Sequence, residues 1–484
     1  MTFVSDLKPE ALWRHFDQIL TIPRGSKNEE QMRRYVAGVA DRLGLAVQGD
    51  GAGNLVVVKP ASPGREGAPV TILQAHLDMV NEKNSDVDHD FTRDPLVPRR
   101  DGDFLKATGT TLGADNGIGV AAMLAVAEAN DLVHGPLELL FTIDEETGLT
   151  GATELDARML AGRQLINLDS EEEGTLTVGC AGGAGSRITL PLEREAPVPG
   201  ATAWEITVAG LKGGHSGVDI HLQRGNASAL LARGLFAAEE VAPLRLAAFT
   251  GGDKHNAIPR EARAMVVTSA AARDAVREAF ARELEAARAE LRTADPGLRY
   301  EIAEVAVPER VWTEGVTRRA LALLRTLPHG VLVMSYDIPG LVETSTNLAT
   351  VAERDGALEI LMSNRSSVAT ALRAVQGRLR ALGELAGAKV ESLDGYPGWQ
   401  PNLASPLLAA SQRVHERLFG KAAHVGAMHA GLECGIVGEK VPGMDMISFG
   451  PTIQFPHSPD EQVEIPSVAR FWQLLTALLA DLAS

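Results

Sequence analysis

Cysteine is almost absent. Cys180 and Cys434 are the only two in 484 residues, which excludes a disulfide-framed secreted scaffold and points to a reducing compartment, the cytoplasm. An excess of positive charge is also lacking. Lys and Arg total 46 against 63 Asp and Glu, a formal net charge of −17. General nucleic-acid binding is therefore not expected, since neutralising phosphates takes basic patches. No apolar run reaches the roughly 18 residues of a membrane span. The first 30 residues carry no basic stretch followed by an apolar core, so no signal peptide is expected either. The apolar fraction, 45%, is that of an ordinary soluble protein. The chain is too long for a single core, and two domains are expected.

Within that length the chemistry-bearing residues collect at the ends of apolar runs. Residues 70–78 (VTILQAHLD) read as a buried parallel strand, apolar on both faces, that stops at His76 and Asp78. Residues 136–143 form a second such run, ending at Asp144, Glu145, Glu146 and Gly148, and residues 163–168 a third, ending at Asp169 and Ser170. Between the first two, TGTTLGADNGIG places Asp115 between Gly113 and Gly117, just before a helix expected over 116–130. Alone, Asp115 would be a helix cap; beside these strand ends it reads as a ligand. Near the C-terminus, residues 446–449 lead into GPTIQFPHSPDE, which carries His457.

Open α/β sheets bind ligands beyond the carboxyl ends of their strands. Two histidines among several carboxylates form a donor mixture suited to zinc or a similar borderline ion. Convergence of His76, Asp115, Glu146, Asp169 and His457 would suit two metals sharing one carboxylate, with Asp115 as the bridge. Asp78 shares His76's side of the strand and is placed to accept its imidazole N–H. Of the adjacent pair Glu145 and Glu146, one carboxylate binds metal. The other is left to take a proton from the attacking water and pass it to a leaving amine.

Along the chain, helices are expected over 8–22 and up to about residue 43, the second capped by Ser26 or Asn28. The polar stretch 81–100 reads as a solvated loop. VGCAGGAG, 178–185, reads as a tight, flexible connection at a domain boundary. It is not a phosphate loop, because no Lys-Ser or Lys-Thr follows; Cys180 is a small buried filler. Residues 204–306 show a βαββαβ pattern, the ferredoxin-like split unit. A partial echo, helix–strand–strand–helix–strand, follows over 316–392. In this segment LKGGHSG sets His215 among glycines, where an imidazole can stabilise a tetrahedral oxyanion. Asn256 in HNAIP and Arg365 in SNRSS are further polar points, the arginine suited to a substrate carboxylate. His221 and His424 carry no assignment. The chain returns at YPGWQP, so the expected division is a catalytic domain over 1–186 and 398–484 around an inserted domain over 187–397.

AHLDMV, GTTLGADNGIG, DEETG, LDSEEEG, GLKGGHSG, NAIPREA, YPGWQP, HAGLECG and GPTIQFPHSPDE stand in the order in which M20 metallopeptidases carry them. The chain resembles that family over nearly its whole length, most of all its aminoacyl-histidine dipeptidase branch. The resemblance implies an α/β fold: a di-zinc peptidase catalytic domain with a mostly parallel sheet, interrupted by an inserted α+β lid domain with ferredoxin-like units. It implies two Zn2+ per subunit, with Co2+ or Mn2+ as substitutes. His76, Asp115 and Asp169 would bind one ion, and Asp115, Glu146 and His457 the other. Glu145 would be the general acid/base, Asp78 would orient His76, and His215 would help hold the transition state. Asn256 and Arg365 would contact substrate. A cytoplasmic homodimer hydrolysing dipeptides such as beta-alanyl-histidine is implied, with His215 acting on its own subunit's site or its neighbour's. Two other functions stay open. The same metals and base would serve an amidohydrolase acting on N-acyl amino acids. A binding protein on this fold would use the metals structurally, though it would have no need of Glu145.

Overall fold

The computed structural model describes residues 3–4 and 6–484. The chain forms two compact units, one of residues up to Cys180 with Trp399–Ala427 and Leu432–Ser484, the other of Ala181–Gly398 with Met428–Gly431. The glycine run at the first crossing is regular strand, Thr175–Cys180 followed by Gly182–Pro191, and not a flexible connection. A Cβ on Gly182 would collide with the backbone of Gly398, and one on Gly183 would press on the ring of Tyr396. These glycines serve close chain approach.

In the first unit an eight-stranded mixed sheet runs Ala46–Gly49, Leu55–Lys59, Leu137–Thr142, Thr71–His76, Gln164–Asn167, Asp445–Ser448, Thr175–Cys180, His424–Met428. The four strands from Leu137–Thr142 to Asp445–Ser448 are mutually parallel. Antiparallel pairings flank them on both sides. Parallel strands need cover on both faces, and Thr71–His76 and Leu137–Thr142 are buried at every position. Helix Glu10–Ile19 buries Leu12, Trp13, Phe16 and Ile19 and packs on helix Ala114–Glu128. The polar stretch after residue 80 is exposed or half-buried. It does not stay a loop to residue 100: Pro98–Asp101 pairs with Phe104–Ala107. That pair joins Gln462–Glu464 and Ile453–Gln454 in a four-stranded sheet, which secures the segment bearing His457.

Gly450 begins that segment. A Cβ there would collide with the carbonyl oxygen of Ser170, so Gly450→Ala is expected to cost about 1–3 kcal/mol, as overpacking does. A chemical-denaturation midpoint equal to the parent's would contradict this.

The second unit holds a sheet in the order Arg299–Val305, Ala201–Ala209, Ala262–Ser269, Leu244–Gly251, Val342–Arg354, Ala357–Ser366, Gly182–Pro191, Lys389–Tyr396. The first four strands, with helices Ala227–Val241 and Arg273–Glu290, make the expected ferredoxin-like unit. The last four, with helices Glu314–Thr326 and Ala369–Leu385, make a second. Its opening strand is Gly182–Pro191, which precedes the first ferredoxin-like motif in sequence, so the second motif is interrupted by the first. That is why the echo read from sequence lacked a strand. Trp204, Phe249, Phe280 and Trp312 lie in the core that the two ferredoxin-like motifs share.

Candidate metal centre

Four parallel strands stop at one edge of the first unit's sheet, and the residues at or just beyond each stop carry the polar chemistry. His76 is the last residue of its strand and is buried. Beyond Thr142 the chain turns through Asp144, at φ 48°, into the short helix Glu145–Gly148. Asp169 follows strand Gln164–Asn167, and His457, at φ 58°, lies beyond strand Asp445–Ser448. Asp115 arrives on a loop. The N-cap of helix Ala114–Glu128 is Gly113, no side chain caps it, and Asp115 and Asn116 have non-helical backbone angles. The Asp115 carboxylate is therefore not a cap. Glycine is needed on both sides because Arg24 fills the adjoining space. A Cβ on Gly113, at φ +68°, would collide with the Arg24 guanidinium, and one on Gly117 would stand 2.8 Å from it.

The five candidate ligands are brought together. His76 Nε2 lies 3.1 Å from Asp115 Oδ1 and 3.2 Å from Asp169 Oδ1. His457 Nε2 lies 3.2 Å from Asp115 Oδ2 and 3.0 Å from Glu146 Oε2. The two oxygens of Asp115 thus face different histidines. The donor atoms form two sets, His76–Asp115–Asp169 and Asp115–Glu146–His457, each within 4.8 Å. Glu146 Oε1 is buried without a hydrogen-bond partner, a group that a cation would satisfy. Imidazole and carboxylate donors in these sets fit two borderline divalent ions sharing a carboxylate.

Asp78 does more than face His76 Nδ1, 3.3 Å away. Its carboxylate accepts the backbone N–H of Glu145 at 3.0 Å and of Glu146 at 3.2 Å, and the Ser26 hydroxyl at 2.7 Å. One buried carboxylate therefore holds the Glu-Glu turn by hydrogen bonds and faces the imidazole. Ser26, expected as a helix cap, is used here instead; helix Glu30–Arg42 starts after Glu29, with no side-chain cap.

The electrostatics separate the carboxyls. Burial opposes ionisation of Asp115, but hydrogen bonds from His457 and His76 outweigh it and hold the group well below the usual carboxylate range. Burial pushes Asp169 up to about 6 although His76 pulls the other way. Asp115 and Glu146 raise His457 to about 11. Burial raises Glu145 well above an ordinary glutamate; His76 opposes, and Asp169, Glu146 and Glu433 add to the rise. A carboxyl with raised proton affinity beside one poised to bind a cation is the division that general acid–base chemistry uses. Glu433, fully buried, is pushed to about 7 by burial and accepts from Gln74 at 2.5 Å and Thr142 at 2.7 Å. It forms a hydrogen-bonded layer behind the strand ends. Glu433 stands in HAGLECG, but nothing in that string marks it as buried.

The second unit carries its own polar cluster. His215 Nδ1 accepts the backbone N–H groups of Gly217 and Val218 at 3.3 and 3.0 Å, so the neutral ring carries its proton on Nε2. Burial, helped by Arg365, lowers this imidazole to about 4. Its Nε2 lies 3.5 Å from Arg365 Nη2, two donors side by side as an anion would require. Arg365 Nη1 donates to the Tyr396 hydroxyl at 2.9 Å. His429, missed in the sequence, contacts the Ser345 hydroxyl at 2.7 Å; burial and Arg365 push it down to about 3. Asn256 is exposed, and its carbonyl accepts the Ser216 N–H at 2.8 Å.

Residues 72–481, which include all five candidate ligands, match the model of Peptidase family M20/M25/M40. Over 482 residues, 100% of this chain and 99% of the relative, the chain is 44% identical to the cytosol non-specific dipeptidase of Escherichia coli (strain K12). The crystal structure of aminoacylhistidine dipeptidase from Vibrio alginolyticus is similar at a TM-score of 0.92 and 44% identity, over 98% of this chain and 97% of that one. Aminopeptidase PepT from Bacillus cereus ATCC 10987 shares the fold at a TM-score of 0.56 and 15% identity, over 99% of this chain and 100% of that one. With the family match running from the His76 strand to the C-terminal helix, and a relative aligned from end to end, this chain belongs to peptidase family M20/M25/M40.

Proposed function

We propose that this chain is a zinc-dependent dipeptidase of the cytoplasm. The observation that carries the reading is Asp115, whose two oxygens face two different histidines, as a carboxylate shared between two ions must. His76, Asp115 and Asp169 would hold one zinc ion, and Asp115, Glu146 and His457 the other; Co2+ or Mn2+ suits the same donors. Bound there, the ions supply Lewis-acid polarisation of the scissile carbonyl and acidify the attacking water. Glu145 takes a proton from that water, an uptake favoured by its raised proton affinity, and returns it to the leaving amine. Asp78 keeps the base in register with the ligands, because it accepts the Glu145 backbone N–H and stands 3.3 Å from His76 Nδ1. His215 donates from Nε2 to the developing oxyanion. Arg365 pairs with the carboxylate of the substrate, and Asn256 is a further substrate contact. The second unit is assigned the lid and homodimer roles. Relatives named for non-specific and for aminoacylhistidine dipeptidase activity support dipeptides as the substrate class, Xaa-His among them.

The test is hydrolysis of an Xaa-His dipeptide, an N-acetyl amino acid and a tripeptide, before and after chelation and zinc restoration. Dipeptide cleavage lost on chelation and regained with zinc is the expected result. Turnover of the acyl substrate alone would move the function to amidohydrolase, and no turnover by zinc-loaded protein would favour a binding role. Within the same assay, His215→Ala is expected to lower kcat by about 10²–10³-fold, as loss of an oxyanion donor does, with zinc content unchanged. Because the ring takes up a proton only near pH 4, it stays neutral above that pH and should not shape the parent's profile at about pH 5 to 8. A parental kcat in the variant would remove His215 from this role.

A further inference from the structure

Three ligand-bearing segments of the first unit, 76–78, 112–115 and 457–461, come from distant parts of the chain. Two buried charged residues outside the ligand sets tie them together. Arg24 is 2% exposed. Its Nη1 donates to the carbonyl oxygens of Leu77 at 3.0 Å and Asp78 at 2.7 Å, and its Nη2 donates to the carbonyl of Gly113. Glu461 is also 2% exposed. Its Oε2 accepts the backbone N–H of Leu112 at 2.7 Å and Gly113 at 2.9 Å; its Oε1 accepts that of Ala114 at 2.7 Å and Asp115 at 3.3 Å.

Arg24 thus joins the strand end bearing His76 to the loop bearing Asp115. Glu461 joins that loop to the segment bearing His457. Gly113 is held from both sides, its carbonyl by the guanidinium and its N–H by the carboxylate. Burying two charges is weak evidence for stability, since desolvation offsets much of the attraction. Their place between the ligand segments points to a different use. A loop with glycine at 113 and 117 has little stiffness of its own. A carboxylate shared by two ions must nevertheless be held to about 0.5 Å.

We propose that Arg24 and Glu461 are positioning residues that clamp the backbone around Asp115 and so set how its two oxygens are presented to the two ions. The inference rests on the ligand reading above and adds residues that contact neither ion. Loss of such supporting partners typically weakens metal affinity by about 10–100-fold.

The experiment uses the full chain freed of metal and titrated with zinc in competition with a chromophoric chelator, at a temperature where circular dichroism shows parent and variant folded. Glu461→Gln keeps the shape but loses the charge and turns an amide N–H₂ toward backbone donors. It is expected to weaken binding of the second zinc by about 10–100-fold and to lower kcat with little change in KM. Glu461→Asp keeps the charge and should recover part of the affinity. Arg24→Lys replaces the guanidinium fork with a single ammonium and should fall between. A folded Glu461→Gln that takes up two zinc ions with the parent's affinity and kcat would overturn the proposal, even if its melting temperature dropped, because that is the mark of a merely structural role. If Glu461→Gln does not fold, parental zinc affinity in Glu461→Asp overturns it instead. A parent that binds fewer than two zinc ions would refute the ligand reading itself, whereas parent and variant both binding two equally would refute only the clamp.

Discussion

Replacing Glu145 with Gln is expected to lower kcat by about 10²–10⁴-fold, the usual contribution of a general acid–base group, with zinc content unchanged. The amide has the same shape and cannot carry the proton between water and leaving amine. Glu145 lies outside both ligand sets that share Asp115, although it stands with His76 and Glu146 in a third group of donors within 4.8 Å. The measurement separates these readings. Burial, Asp169 and Glu146 all disfavour a charge on Glu145, so removing the carboxyl relieves repulsion on the remaining carboxylates and should not release metal. Steady-state kinetics beside elemental analysis of the purified variant decides the matter. Substantial residual activity would remove Glu145 from the proton-transfer role, and a lost zinc ion would place it among the ligands.

Asp115→Ala is expected to empty both metal positions, while His457→Ala empties one. The asymmetry follows from the contacts. Asp115 offers Oδ1 to the set containing His76 and Oδ2 to the set containing His457, whereas His457 contributes to one set only. Removing the shared carboxylate also leaves His76 and His457 without the group that both face. Zinc per subunit should therefore fall toward zero in Asp115→Ala and to one in His457→Ala, with turnover below detection in the first. An unchanged metal count in His457→Ala would refute that ligand, and loss of only one ion in Asp115→Ala would refute the bridge.

The candidate ligands were legible in the sequence because their signals are local. An apolar run that stops at His76, or at Glu145 and Glu146, shows both a buried strand and its end. Strand ends of a parallel sheet face one edge. Asp115 was ambiguous for the same reason. A glycine-flanked aspartate before a helix reads equally as a cap, and only the backbone angles at 115 and 116 free its carboxylate. The same local rule offers Ser26 or Asn28 as the cap of the next helix, and neither caps it: the Ser26 hydroxyl serves Asp78, far along the chain. The second ferredoxin-like unit was legible except for its first strand, because chain order and sheet order differ there.

Periodicity, glycine placement and motif order were enough to establish the α/β character, the strand ends that carry His76, Glu146, Asp169 and His457, and the ferredoxin-like texture of the inserted segment. Those properties depend on residues within a few positions of one another. Which charges are buried, and what they hold, depends on segments that meet only in the folded chain. Glu461 finds its four N–H partners near residue 113, and Glu433 finds its own on two sheet strands. Nothing near either glutamate distinguishes it from a solvated neighbour. A buried carboxylate needs donors to offset its desolvation, and only tertiary packing supplies them.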